Sequence, residues 1–305
     1  MRAKLTIICP AFNEEASLPI FIERTVATAA KLSDRYEVNI LFINNASSDQ
    51  TLELIKSLRA RQSGVYFATL TRNVGYQRAV ECGLRIAKGD LFVVIDADCE
   101  DPPEMIPDFL EKYEEGHDIV YGERVDRTEA RWLKELRRLF YRVTRFVADE
   151  EIILDMAEFA LISSEVRDAI IKDTSSFPFI RASIGRVGFS KIGIPYKRQA
   201  RVAGQTHYNL LRMFIFAVAG ILSSSTLLLR LPIYLLPFWL AAVGVLALSY
   251  VSSGNTGSLV VLITVICGYL GATAAFIAVY VARVYFNTLG RPNYVISRKM
   301  SSLQS

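Results

Sequence analysis

The chain has 305 residues, a formal charge of +4, 51% hydrophobic residues and a mean hydropathy of +0.27. That hydropathy is high for a wholly soluble protein, and the excess sits at one end, because no charged residue occurs between Arg230 and Arg283. Four scattered cysteines (Cys9, Cys82, Cys99, Cys267) without a CxxC pair argue against a disulfide framework or a thiolate zinc site and point to a reducing compartment. Two histidines, His117 and His207, are too few for an imidazole-based metal centre. The stretch Met1 to Phe12 is too short and soon too polar for a secretory signal.

The first half alternates strand and helix patterns. Leu5–Cys9 reads as a short buried strand, Ser17 to about Leu32 as a helix, and Val38–Ile43 as the next strand. Asp49 is placed to cap a helix through about Arg61. Val65–Thr69 and Leu91–Ile95 are further strands with a helix, Gln77–Ala87, between them, and Ile119–Tyr121 is a fifth. Continuous apolar strands separated by helices predict a mostly parallel, Rossmann-like α/β sheet covered on both faces. Ligands of such sheets sit at the carboxyl ends of the strands.

Between Arg131 and Arg145, six basic residues face one acid and are interleaved with Trp132, Leu133, Leu136, Leu139, Phe140 and Tyr141. This pattern predicts a basic amphipathic helix suited to anionic headgroups. No nucleic-acid module accompanies the charge, so no nucleic-acid partner is expected. The expected organisation is an α/β domain over 1–208, an interfacial amphipathic helix over 209–230, a transmembrane hairpin over 231–285 and a tail over 286–305. Within the hairpin, about 232–251 and 259–281 are each long enough to cross a bilayer, and 252–258 forms a small polar turn. Arg283, Arg291, Arg298 and Lys299 follow the second span without an acid, whereas the turn is uncharged. Positive residues stay inside, so the α/β domain and both termini are expected to be cytoplasmic. Gly244, Gly268 and Gly271 permit close helix packing and homo-oligomers.

Polar motifs leave each strand. Pro10-Ala11-Phe12-Asn13-Glu14-Glu15 follows the first, Asn44 to Asp49 the second, and Arg72-Asn73-Val74-Gly75 the third. Asp96-Ala97-Asp98 follows the fourth. Two carboxylates at i and i+2 after a buried strand can hold Mg²⁺ or Mn²⁺, which in turn grips a diphosphate and offsets charge on it as it leaves. Helix capping explains part of these turns, and Asp101-Pro102-Pro103-Glu104 also suits a helix entry. Four polar turns on one sheet edge favour a nucleotide pocket.

In these motifs, with Arg201–Tyr208 (RVAGQTHY) and Gly290-Arg291-Pro292-Asn293-Tyr294, the chain resembles the family-2 glycosyltransferases of the GT-A fold. The two-span tail makes it similar to their polyprenyl-phosphate branch. The resemblance implies a membrane enzyme of the cytoplasmic, or inner, membrane that moves a sugar from a nucleotide-sugar, with UDP and GDP both open, to a polyprenyl phosphate. It implicates Pro10, Ala11, Asn13, Glu14, Asn45, Arg72 and Gly75 in donor binding, with Arg201 on the donor diphosphate and Asp96 and Asp98 on the metal. Arg124, Arg131, Lys134 and Arg138 are the expected grip on the lipid phosphate. Two departures stand out. Asn44-Asn45 replaces the usual acidic end of the second-strand loop, and Asp155-Met156-Ala157-Glu158-Phe159-Ala160-Leu161 stands where the family has Asp-Phe-Arg-Leu. Glu158 and Asp155 are competing candidates for the carboxylate of that motif. The departures leave a catalytically silent, nucleotide-sugar-binding relative as the alternative.

Overall fold

The computed structural model describes residues 2–124, 156–173, 175, 178–199 and 225–303. In chain order these form β1 (Ala3–Ala11), α1 (Leu18–Leu32), β2 (Tyr36–Asn44), α2 (Thr51–Arg61), β3 (Val65–Thr69), α3 (Tyr76–Ile86) and β4 (Leu91–Val94). There follow α4 (Ile106–Glu114), β5 (Ile119–Arg124), β6 (Met156–Ser163), α5 (Ser164–Ile170), α6 (Ile180–Arg186) and β7 (Lys191–Tyr196). Two long helices, α7 (Leu227–Ser253) and α8 (Thr256–Thr288), close the described elements apart from short 3-10 turns.

The strands make one seven-stranded sheet in the order β3-β2-β1-β4-β6-β5-β7. Side chains alternate across it, so β1 sends Leu5, Ile7 and Cys9 to one face and Ile8 to the other. The first face packs on α1, α2 and α4 through Phe21, Ile55 and Phe109, all fully buried. The second packs on α3, α5 and α6 through Val80, Val166 and Ile184. Each layer removes an apolar helix stripe and a sheet face from water together, which is the main force holding the domain.

The sheet is mixed rather than parallel throughout. β1 pairs in parallel with β2 and β4, as do β2 with β3 and β5 with β7, but β6 runs antiparallel to both β4 and β5. β6 is buried at all eight positions, Glu158 included. β7 occupies an edge, where the Pro195 of KIGIPY is tolerated. β5 runs three residues beyond the expected Tyr121, as far as Arg124. Its Gly122 leaves room for the Tyr196 ring, which a Cβ there would meet at 2.6 Å.

The hairpin extends the expected spans. α7 begins at Leu227, so the end of the expected 209–230 interfacial helix belongs to the first long helix, while 209–224 lies outside the described residues. The turn is tighter than expected: Gly254 ends α7 at φ 59 and the Asn255 side chain caps α8 by accepting from the Gly257 N–H. Both helices satisfy the length and hydropathy of membrane spans, at mean hydropathies of 2.1 and 2.3, and their apolar surfaces face outward. They are joined by the stack of Trp239 on Tyr269 at 4.5 Å and by hydrogen bonds from Trp239 Nε1 to the Val265 carbonyl and from the Tyr269 hydroxyl to the Pro232 carbonyl.

The tail does not stand apart as a separate segment. After α8 it returns to the sheet domain and covers the β3 edge through antiparallel bridges Leu70↔Ile296 and Phe67↔Ser302. Asn293 donates to the buried Glu81 of α3 and to the Ser175 carbonyl. An otherwise open strand edge is thereby paired.

Gly83 sits inside α3, where glycine costs about 1 kcal/mol relative to alanine. Its place is explained by the close approach to β1, since a Cβ there would lie 2.4 Å from Ile8 Cγ2. Gly83→Ala is therefore expected to destabilise the domain by about 1–3 kcal/mol in thermal unfolding rather than to stabilise it. Combining it with Ile8→Ala should cost less than the sum of the two single changes.

Candidate active site

The loops after β1 and β2 interlock through their backbones. The Asn13 N–H donates to Ser47 Oγ, Glu14 to Thr51 Oγ1 and Glu15 to Asp49 Oδ2. In return the N–H groups of Ser48 and Gln50 donate to the side chains of Asn13 and Glu15. Asp49 Oδ1 also accepts from the Thr51 N–H, so the expected capping residue is used at both oxygens. Pro10 and Ala11 end β1. Pro10 lies beyond the last β1–β4 pair, Ile8↔Val94, so its missing N–H removes no ladder bond.

Asn45 links this loop pair to the third. Its Oδ1 accepts from the Val74 N–H at 2.9 Å and its Nδ2 donates to Asn73 Oδ1 at 3.0 Å. Asn73 Oδ1 also accepts from the N–H of Gly75, which starts α3 at φ 86. Asn45 thus spends both ends of its amide on loop structure, while Arg72 stands exposed beside it. Asn13, Ala46 and Cys99 have φ values of 55, 57 and 64, conformations that favour glycine. Asn13 and Ala46 lie in these loops and Cys99 in the turn after β4, all at the carboxyl edge of the sheet, where strained backbone is retained for the shape it gives.

The Asp96-Ala97-Asp98 turn is held from below and behind. Asp96 Oδ1 accepts from the Tyr76 hydroxyl at 2.5 Å, and Asp98 Oδ1 accepts from the Glu100 N–H at 3.0 Å. Burial, with the charges of Asp98 and Asp101 added, pushes the Asp96 carboxyl up to about 7. Asp101, fully buried, accepts from the Tyr196 hydroxyl and lies 3.4 Å from Arg124 Nη2, while Arg124 Nε donates to the same hydroxyl at 3.2 Å. Burial disfavours the Arg124 charge, but Asp101, Tyr196 and Asp96 together outweigh this and hold the guanidinium above its ordinary range. Glu104 takes two hydrogen bonds from Arg24 of α1, and Arg24 also reaches Gln199. Glu100 pairs with Arg198. The DADCEDPPE stretch therefore serves as helix entry and as the junction of α1, β5 and the strand end of β7.

Glu158, on β6, faces the same edge. Gln77 Nε2 donates to its Oε1 at 3.1 Å, and Arg181 Nε lies 2.7 Å from that oxygen. Gln77 Oε1 in turn accepts from the Ile180 N–H, fixing the start of α6. Adjacent residues of α3, Tyr76 and Gln77, thus hold two carboxylates from different strands.

The structure gathers the loops carrying Pro10, Ala11, Asn13, Glu14, Asn45, Arg72, Gly75, Asp96 and Asp98 on one sheet edge, with Glu158 and Arg124 near the Asp96 turn. Asp155, Arg131, Lys134, Arg138, Arg201 and His207 lie outside the described residues. Tyr76 and Gln77 went unnoticed in the sequence although they directly follow the Arg72–Gly75 tract. Tyr196 and Arg198 had a comparable signal in standing just before RVAGQTHY. Arg181 had none. Among the described residues no three His, Cys, Asp or Glu side chains converge closely enough to cage a metal ion.

Residues 6–171 match the family described as Glycosyl transferase family 2, more than half of the chain. The protein therefore belongs to that family of glycosyltransferases. Over 305 residues it is 32% identical to the prophage bactoprenol glucosyl transferase homolog of Escherichia coli K12, covering 97% of this chain and 99% of that one. It is 33% identical to the bactoprenol glucosyl transferase of Shigella phage SfX, at 97% and 100% coverage. It is also 30% identical to the uncharacterized glycosyltransferase YkcC of Bacillus subtilis, at 96% and 93% coverage. Among solved structures it is similar to glucosyl-3-phosphoglycerate synthase from Mycobacterium tuberculosis, with a TM-score of 0.49 and 18% identity over 71% of this chain and 75% of that one.

Removing one partner of a buried ion pair leaves an uncompensated charge. Arg124→Met is expected to lower stability by about 3 kcal/mol in thermal unfolding of the detergent-solubilised protein, and Asp101→Asn in the same chain to recover part of the loss.

Proposed function

We propose that this glycosyltransferase moves a sugar from a nucleotide-sugar, with uridine diphosphate as leaving group, onto a polyprenyl phosphate, undecaprenyl phosphate in a bacterial membrane. The observation that carries this is the extent of the likeness to bactoprenol glucosyl transferases. It runs through the sheet domain, both long apolar helices and the returning tail. The lipid-linked sugar would then serve as donor for cell-envelope glycan modification.

Asp96 and Asp98 are the proposed ligands of Mg²⁺ or Mn²⁺. Two carboxylates suit such an ion, which takes its remaining ligands from substrate phosphates and water. Burial, and after it the charges of Asp98 and Asp101, push the Asp96 carboxyl up, and a bound cation would offset that crowding. When bound, the metal offsets charge building on the leaving diphosphate. The loops carrying Pro10, Ala11, Asn13, Glu14, Asn45, Arg72 and Gly75 form the donor site, with Arg201 on the diphosphate. Asn45 contributes by fixing the loop shape around the base. Arg131, Lys134 and Arg138 are proposed to draw the lipid phosphate, while Arg124 is bound to Asp101.

A phosphate monoester has its second pKa near ~6, so at neutral pH it is largely dianionic. One of its oxygens attacks the anomeric carbon, the bond from that carbon to the β-phosphate oxygen breaks, and the configuration inverts. No proton has to be removed from the nucleophile. Positioning and charge matching supply the rate, and neither Glu158 nor Asp155 is required as a strong base.

The same reading makes it a two-span protein of the cytoplasmic membrane, with the proposed catalytic domain and both termini inside. Two features support this. The tail after the second span pairs with β3, so tail and catalytic domain share one side, and the basic residues follow α8 while the interhelical turn is uncharged.

The test is to incubate the purified protein with Mn²⁺, undecaprenyl phosphate and labelled UDP- and GDP-sugars, and to count label extracted into organic solvent. One UDP-sugar should give lipid label, lost with EDTA and reduced on the order of 100-fold or more by Asp98→Asn. No label from any donor, with nucleotide binding intact, would favour a catalytically silent relative.

A further inference from the structure

The carboxylate-rich edge poses a problem for an anionic acceptor. Asp96, Asp98, Asp101 and Glu158 all lie in or behind the Asp96 turn and the adjoining strand β6, and a phosphate dianion must come close to them to react. Arg124 is consumed by Asp101 and Tyr196, and its side chain is only 13% exposed. Arg181 differs. It stands on the first turn of α6, 23% exposed, with Nε 2.7 Å from Glu158 Oε1 as an ion contact. Among the described residues its two terminal nitrogens have no recorded partner. A guanidinium carries five N–H donors in a planar fork, so contact along the Nε side leaves a terminal pair aimed elsewhere.

Its position is also fixed with some care. Gln77 accepts from the Ile180 N–H and donates to Glu158, so the residue before Arg181 and its carboxylate partner are tied to one side chain. Gln77 follows Tyr76, which holds Asp96. Three contacts from adjacent residues of α3 therefore set Arg181 in register with the Asp96 turn. The arrangement resembles a held cation more than a structural ion pair, because burying a pair for stability alone is weakly favourable at best.

We propose that Arg181 binds the phosphate of the acceptor, with Glu158 and Gln77 as the positioning residues that orient its guanidinium. This rests on the polyprenyl-phosphate reading above and names the group that recognises the acceptor headgroup. The phosphate takes the two terminal N–H donors while Glu158 keeps Nε, so the fork is shared between carboxylate and ligand. An alcohol of the same chain length, lacking the charge, has no claim on it.

The test uses the full-length protein in detergent with farnesyl phosphate and farnesol as probes, alongside UDP. Wild type should bind farnesyl phosphate well above farnesol. Arg181→Gln, whose amide can still hydrogen-bond Glu158, should weaken farnesyl phosphate binding at least 10-fold and raise the KM for undecaprenyl phosphate similarly, while UDP affinity stays within twofold and thermal stability falls less than in Arg124→Met. Arg181→Lys should recover part of the phosphate affinity, and Gln77→Ala should weaken phosphate binding less than Arg181→Gln does. Unchanged farnesyl phosphate binding in Arg181→Gln overturns the proposal, as does a loss of UDP affinity or of thermal stability equal to the loss of phosphate binding. Failure of wild type itself to prefer the phosphate over the alcohol would instead remove the acceptor reading on which the proposal depends.

Discussion

The arrangement depends on bringing several carboxylates to one end of a buried sheet and keeping them apart in partner and purpose. Asp101 and Glu104 are tied to arginines from β5 and α1, and Glu158 is tied to α6 and α3. Asp96 is held by a neutral phenol instead and remains crowded by its neighbours. Carboxylates bound to arginines build the wall, and Asp96 and Asp98 stand in the turn at the edge where the strand loops open. A cation is the natural complement of such a pair, and a nucleoside diphosphate is the natural complement of that cation.

The loops themselves are rigid for a mechanical reason. Side chains after β1 and β2 satisfy each other's backbone N–H groups, and Asn45 extends the lattice to the loop after β3. Two non-glycine residues at positive φ, Asn13 and Ala46, lie within it. Preorganised loops of this kind hold a nucleotide without reordering, which is where binding energy is otherwise lost. The tail adds a second constraint. By covering the β3 edge and bonding Glu81, it ties the sheet domain to the end of the hairpin.

Much of this was legible in the sequence because it is written in local patterns. Apolar runs marked β1 to β5 and the uncharged stretch marked the hairpin, while the polar turns pointed to one sheet edge. What escaped notice was long-range. β6 could not be read as an antiparallel strand from a run in which Glu158 is buried by contacts from α3 and α6, and β7 is disguised by its glycine and proline. Arg181 is adjacent to nothing suggestive in sequence, and only the fold sets it against Glu158. Arg124 was expected to face a lipid, yet its charge is answered by Asp101, 23 positions earlier.

The central claim is that two carboxylates supply only part of a metal site and a nucleoside diphosphate completes it. Mn²⁺ binding followed by electron paramagnetic resonance, with and without UDP, tests this directly. The account predicts weak Mn²⁺ binding to the protein alone and binding at least 10-fold tighter with UDP, abolished by Asp98→Asn. Tight stoichiometric Mn²⁺ binding without nucleotide, or UDP binding that does not change the Mn²⁺ signal, would contradict it.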